Sequence, residues 1–357
     1  MTIPAYWRHF VVFILLVSLS FHAIGSRFFD EETGEFDVSE HLLTHSGFLP
    51  VPIIITEPAL GTGLGISAVY FDESISDRSK RLKNADHFSP PNITLAGGFR
   101  TENGSKGIFA GGFRTFRNDQ YRYLGGLGKF SINLDYYGPL NRPRALNIDA
   151  IGTVQQLTSR IKNSNWMLGG RYVYFDTDIG FSASKPAFID RRQLDLEIGR
   201  LGFLVNYDSR DNILSPSEGI FFEGEIAAAR DWLGASVDFE DYAARIHAYM
   251  PVSEKLTLGL RGDLKASSDA APFFFLPYIN LRGIPAMRYQ GEQVMVAETE
   301  LNWQFKPRWS LLAFTGIGKT FGDNNPLIKS ETAQNYGVGF RYLVASKLGL
   351  KVGVDVA

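Results

Sequence analysis

Few side chains in this 357-residue sequence are spaced for bond-making chemistry. Cysteine is absent, which excludes a thiolate metal site, a disulfide scaffold and a cysteine nucleophile. His41 and His45 lie four apart and could begin a metal pair, but no third ligand is near. Gly318-Lys319-Thr320 matches the end of a phosphate loop. Ala313 stands where the loop's first glycine is required, and the surroundings read as strand. Gly61-x-Gly63-x-Gly65 lacks the strand-turn-helix setting of a dinucleotide site. His247 alternates onto the polar face of a strand, where a serine and an orienting partner would make a hydrolase. No spacing supplies them, and polar lining is the other reading. No catalytic residue, metal, cofactor or enzymatic activity is expected.

Ionic chemistry offers more. Arg282 sits in Leu281-Arg282-Gly283-Ile284, within a Phe- and Pro-rich stretch at 271–285. An arginine beside glycine can enter a crowded interior and fork onto carboxylates. Period-two alternation points Glu298, Glu300 and Asp355 to one side, which makes them candidate partners. The alternative is a surface arginine in solvent. A second cluster is Tyr207-Asp208-Ser209-Arg210-Asp211-Asn212 followed by Ser215-Pro216-Ser217-Glu218-Gly219. Its charges flank a tight turn, where local pairing and turn capping are their ordinary work.

These residues must be positioned by strands. Hydrophobic residues at 45% exclude a disordered chain, and a net charge of −2 gives no support to a nucleic-acid partner. Thirty-six glycines with 13% aromatics suit an all-β barrel. Arg8 and His9, an apolar run at 10–19 and Ala23-Ile24-Gly25 have the layout of an export signal over residues 1–25. An uncleaved anchor is the other reading of that segment. A polar leader, expected to be solvated, follows at 26–50, and a barrel at 51–357. Turn chemistry divides the barrel into fifteen strand segments, from 51–56 to 348–356, with period-two alternation between turns. In 256–263, 293–303 and 334–343, one face is apolar and the other mixes Arg, Glu, Asp, Asn and Gly. That pattern predicts a transmembrane antiparallel β-barrel, polar inside and apolar outside, rather than a soluble sandwich. Single-chain bacterial barrels have an even strand number, so about sixteen strands are expected, with the last apparently missing. A merged or split segment would also explain fifteen. Short and long connections alternate from the fourth strand, whereas 73–91 is long on the short side.

The two clusters together resemble the BamA/TamA superfamily, the bacterial surface antigen barrels, over roughly 51–357. In that family a YDxRDN…SPxxG strand-turn-strand precedes a long loop with an Arg-Gly motif. Here Arg288-Tyr289-x-Gly291 follows the Arg-Gly pair. The resemblance implies that the loop folds back into the barrel and that Arg282 docks on the inner wall. Three departures matter. Residues 26–50 leave no room for a POTRA domain. The family's Phe-x-Asp-x-Gly pattern reads Phe314-Thr315-Gly316-Ile317-Gly318, so Arg282 needs its carboxylate from elsewhere. The C-terminal strand with a terminal aromatic, which the assembly machinery reads, is missing.

The resemblance implies an outer-membrane barrel that assists insertion or translocation of protein, or of lipid. Its partners would be outer-membrane lipid, unfolded outer-membrane protein clients and the assembly machinery for its own insertion. Pro50, Pro52 and Pro58 lie in or beside the first strand and lack backbone donors. They either weaken a lateral seam or mark an ordinary edge. The alternative function is a passive diffusion pore.

Overall fold

The computed structural model describes residues 28–30, 33–81, 91–137, 142–182, 186, 189–322 and 330–357. The expected export signal lies outside them. Fifteen strands form one antiparallel sheet in sequence order: β1 (Gly47–Ile55), β2 (Gly63–Phe71), β3 (Ile93–Thr101), β4 (Lys106–Phe116), β5 (Tyr121–Tyr136), β6 (Arg144–Arg160), β7 (Trp166–Phe181) and β8 (Asp195–Asp208) come first. They are followed by β9 (Gly219–Ala229), β10 (Phe239–Ser253), β11 (Leu256–Ser267), β12 (Gln293–Lys306), β13 (Trp309–Phe321), β14 (Thr332–Ala345) and β15 (Leu350–Val356). No ladder joins β1 to β15 among the described residues, so the sheet is an unclosed barrel wall. Two short helices, α1 (Ser39–Thr44) and α2 (Ile75–Arg81), lie at one end. No described helix is long and apolar enough to cross a membrane.

Most strands fall where alternation and turn chemistry put them. The first differs: β1 starts at Gly47, four residues before the expected 51, because Pro50 and Pro52 are accommodated within an edge strand. The segment after β2, anomalously long in sequence, holds α2.

Chain direction places the turns at 117–120, 161–165, 254–255, 307–308 and 346–349 at one end, with α1 and α2. We call this the leader end. The outer face is an apolar belt, with Ile54, Leu64, Ile226 and Val338 all more than 60% exposed. Paired rings ring its leader end: Phe48 with Tyr70 at 4.9 Å, Trp166 with Tyr207 at 4.9 Å, and Trp309 with Tyr342 at 4.8 Å. An apolar band edged by aromatics is the outer surface that hydrocarbon requires.

The inner face has two halves. From β7 to β15 it carries an ionic ladder: Arg171 to Glu225 at 2.6 Å, Arg200 to Glu225 at 2.9 Å, Arg200 to Asp241, Arg245 to Asp263 at 3.1 Å, and Arg261 to Asp263. From β1 to β6 the register instead turns Val51, Leu95, Phe109, Phe113, Phe130 and Val154 inward.

The leader is docked rather than solvated. Val38 N–H donates to Val344 O at 2.8 Å, and the Tyr342 hydroxyl donates to Phe36 O at 2.7 Å. Arg308, 4% exposed in the turn between β12 and β13, holds Asp30 at 2.6 Å, Asp37 at 2.8 Å and Glu35 at 3.1 Å.

Candidate functional site

The connection between β11 and β12, residues 268–292, enters the interior instead of leaving the end of the sheet. It doubles back through a bridge between Tyr278 and Gln290, and Ile279 N–H donates to Tyr289 O at 2.9 Å. Its tip turns at Gly283, whose φ of +80° places it in the left-handed region that suits glycine. Three apolar anchors hold it. Phe273 and Met287 pack with Tyr136, Leu146, Ile179 and Ile189. Ala271 packs with Leu196, Ile198 and Phe239. Ile279 and Leu281, both almost fully buried, pack on Val294, Val296 and Ala333. Ile284 leans on that last cluster. The first and third anchors take large apolar side chains out of water at about 1.5–3 kcal/mol per side chain.

The anchors deliver Arg282 to the inner wall. Its Nη2 meets Glu298 Oε1 at 2.7 Å, while Nη1 meets Glu300 Oε2 at 2.8 Å and Asp355 Oδ2 at 3.2 Å. The planar fork reaches two adjacent inward carboxylates of β12 and one of β15. The guanidinium carbon lies 3.5 Å from the Phe314 ring centroid, a cation–π contact. Asn335 Nδ2 donates to Arg282 O at 3.0 Å, and Arg341 shares Asp355. Arg261 donates to Asn280 O at 3.0 Å, tying the loop to β11. One loop residue thus links β12, β13, β14 and β15.

Sequence reasoning named Phe314 only within the family pattern, and it did not single out Phe314, Asn335, Arg341 or Arg261 as partners of this loop. Their inward parity on regular strands is the signal that could have found them. Gly316, where the family pattern has Asp, leaves room for Leu281: an added Cβ would lie 2.7 Å from its Cδ2. At Gly318 the added atom would lie 2.4 Å from Ile279.

The second cluster is structural in detail. Arg210 forks onto Asp208 with two bonds of 2.8 Å and lies 4.6 Å from the Phe221 ring centroid. Asp211 accepts from Ser217 N–H at 2.9 Å and Glu218 N–H at 3.1 Å. Burial opposes ionisation of Asp211, but these bonds and the Ser217 hydroxyl outweigh it and lower its pKa. Asn212 Oδ1 accepts from Leu214 and Ser215 N–H groups. Pro216 is half-buried in that turn. Gly219 has φ +103°, and an added Cβ would lie 2.4 Å from Ser209 O. Tyr207 faces outward beside Trp166. One contact goes further: Asn212 Nδ2 donates to Leu348 O at 2.9 Å, joining this turn to the one between β14 and β15. No described hydrogen bond or ion pair joins the two clusters directly. His247 faces inward with its ring stacked on Tyr249, whose hydroxyl lies 3.5 Å from Nδ1. The His41 and His45 rings lie 5.3 Å apart, and His45 Nε2 is bonded to Phe48 O.

No family model matches the sequence, and no curated protein does. Solved structures do match. BamA from Haemophilus ducreyi lacking POTRA domains 1–3 aligns with a TM-score of 0.61 over 95% of this chain and 78% of its own, at 10% identity. The fold is that of a BamA-type barrel. CdiB from Escherichia coli aligns at 0.58 over 86% of this chain and 58% of its own, at 10% identity. CdiB from Acinetobacter baumannii gives 0.51 over 83% and 53%, again at 10% identity. At 10% identity the likeness is one of backbone architecture.

Proposed function

We propose that this chain works in the outer membrane, reached through an export signal in residues 1–25, as a barrel that assists insertion or translocation of protein. On this reading residues 26–46 are the leader and the barrel begins with β1 at Gly47. The observation that carries it is the Arg282 anchor. In a BamA-type barrel, a loop crosses the interior and is pinned by one guanidinium to β12 and β15, beside the edge where no ladder closes the sheet. Pro50 and Pro52, two residues apart, lack donors on the same side of β1. The unbroken register with β2 puts that side at the free edge. Such an edge takes up an incoming strand by β-augmentation while the docked loop keeps the interior filled. No chemical step is needed.

The test is folding of a urea-unfolded small barrel into proteoliposomes carrying this protein, against empty liposomes and a porin control. Acceleration over both controls is expected. Equal rates, with the protein shown folded by heat-modifiability, would overturn the proposal.

A further inference from the structure

The inner face of β1 to β6 is built against the rule for a water-filled barrel, whose interior is polar. Every inward residue of β1 to β4 is uncharged by register, and in β5 and β6 the inward charges are Arg122, Arg144 and Arg160 near the strand ends. Inward glycines make space between the rings. Gly107 faces Phe99 and Phe130, and Gly152 faces Phe175. A cavity of about 400 Å³ opens here, with Leu95, Phe109, Phe113, Leu124, Phe130 and Phe175 among its walls. That volume falls within the roughly 300–1,000 Å³ of small-ligand sites. Water is a poor occupant, because it needs two to four polar partners and these walls supply almost none.

The leader end of the same face carries two arginines against a single carboxylate. Arg122 and Arg160 converge on one carboxylate, Asp119, at 2.6 and 2.7 Å. Arg122 is the inward residue next after Leu124 along β5, so the guanidinium begins where the hydrocarbon wall stops. The order is apolar slot, then cation. We propose that this half of the interior binds the alkyl chain of an anionic lipid, with the chain against Phe109, Phe113 and Phe130 and the headgroup at Arg122, which is 23% exposed where Arg160 is buried. Among the described residues no strand pairs the free edge of β1, which gives the bilayer a way to this face. The inference rests on the membrane placement proposed above and is independent of the insertion step.

The test uses the full chain in lipid nanodiscs with two photoreactive probes. One is palmitate with a terminal diazirine. The other is phosphatidylglycerol with the same group at an acyl end. Adducts are mapped by mass spectrometry. Labelling of inward residues of β3 to β5 by either probe is expected, and the probe that labels identifies the source of the chain. Gly126→Leu fills the cavity from a position where an added Cβ meets nothing closer than Ala110 O at 3.4 Å. It should lower inward labelling about tenfold, equivalent to about 1.4 kcal/mol. Ile151→Ala, on the outer face of β6, should leave inward labelling unchanged. Adducts confined to outward residues such as Ile108 and Ile151, or labelling undiminished in a folded Gly126→Leu barrel, would overturn the proposal. Should that variant not fold, the adduct map of the unmodified chain decides. The client-folding rate, measured on the same preparations, reports separately on insertion.

Discussion

Arg282 and Glu298 meet at 2.7 Å across the interior, one from the tip of an inserted loop and one from the wall of β12. Glu298 is 8% exposed and Arg282 25%, so their pairing is largely shielded from water. Removing the arginine leaves Glu298, Glu300 and Asp355 close together without their common counter-charge. Arg282→Ala should destabilise the barrel by up to the roughly 3–5 kcal/mol that breaking a buried pair costs. The exposure of Arg282 and the support of Arg341 at Asp355 place the value at the low end. Arg282→Lys keeps the charge but not the planar fork, and should fall between. The heat-modifiability midpoint and protease resistance of the loop measure both. Unchanged values for Arg282→Ala would refute the anchoring role.

Gly318→Ala tests whether the loop needs the glycine face of β13. The new methyl would lie 2.4 Å from Ile279, which is fully buried and cannot swing aside. Overpacking of this kind costs about 1–3 kcal/mol. The expected result is a loop cut faster by protease in an otherwise intact barrel. Wild-type cleavage rates would show that the loop is not seated there.

Deleting residues 271–285 removes Ala271, Phe273, Ile279, Leu281 and Arg282 together, and leaves only Met287 of the buried anchoring side chains. Single-channel conductance should be low for the whole chain and rise sharply on deletion. High conductance in both would mean that the loop does not obstruct the interior, and would favour a passive pore.

Gly219→Ala forces a side chain into φ +103°, with the carbonyl of Ser209 2.4 Å from the new atom. Strain at such positions costs about 1–3 kcal/mol. A lower refolding yield and heat-modifiability midpoint are expected. An unaffected midpoint would count against a rigid turn after β8.

The strands were legible because turn chemistry punctuates them and the late strands keep one polar face. Glu298, Glu300 and Asp355 lie on one side because alternation in β12 and β15 is unbroken. The apolar half of the interior was not legible. In the middles of β3 and β4, residues 95–99 and 107–113, both faces are Leu, Ile, Phe, Ala and Gly, and the charges Arg100, Lys106 and Arg114 come only toward the strand ends, so alternation there carries no polar signal and nothing adjacent separates an inward Phe109 from an outward Ile108. The docked leader was hidden for another reason. Arg308 lies more than 270 residues from Asp37 and Asp30, and its acidic partners read as ordinary solvated residues.

The leader's attachment should depend on pH through Asp37. Burial opposes ionisation of this carboxyl, but hydrogen bonds from Ser346 and Ser39 and the Arg308 guanidinium outweigh it and hold it well below the usual carboxylate range. The docked state therefore binds fewer protons at Asp37 than the free chain does. Its stabilisation is present in full above the ordinary carboxylate pKa of about 4 and is lost as pH falls below that value toward the lowered one. Protease protection of residues 28–46 should be constant from pH 7 to about 5 and decline below about 4. Asp37→Asn removes the charge that Arg308 holds, while Asp30 and Glu35 remain, so protection should weaken at neutral pH and lose most of its acid dependence. Full protection of Asp37→Asn at pH 7, or release of the unmodified leader above pH 5, would show that Asp37 does not control the docking.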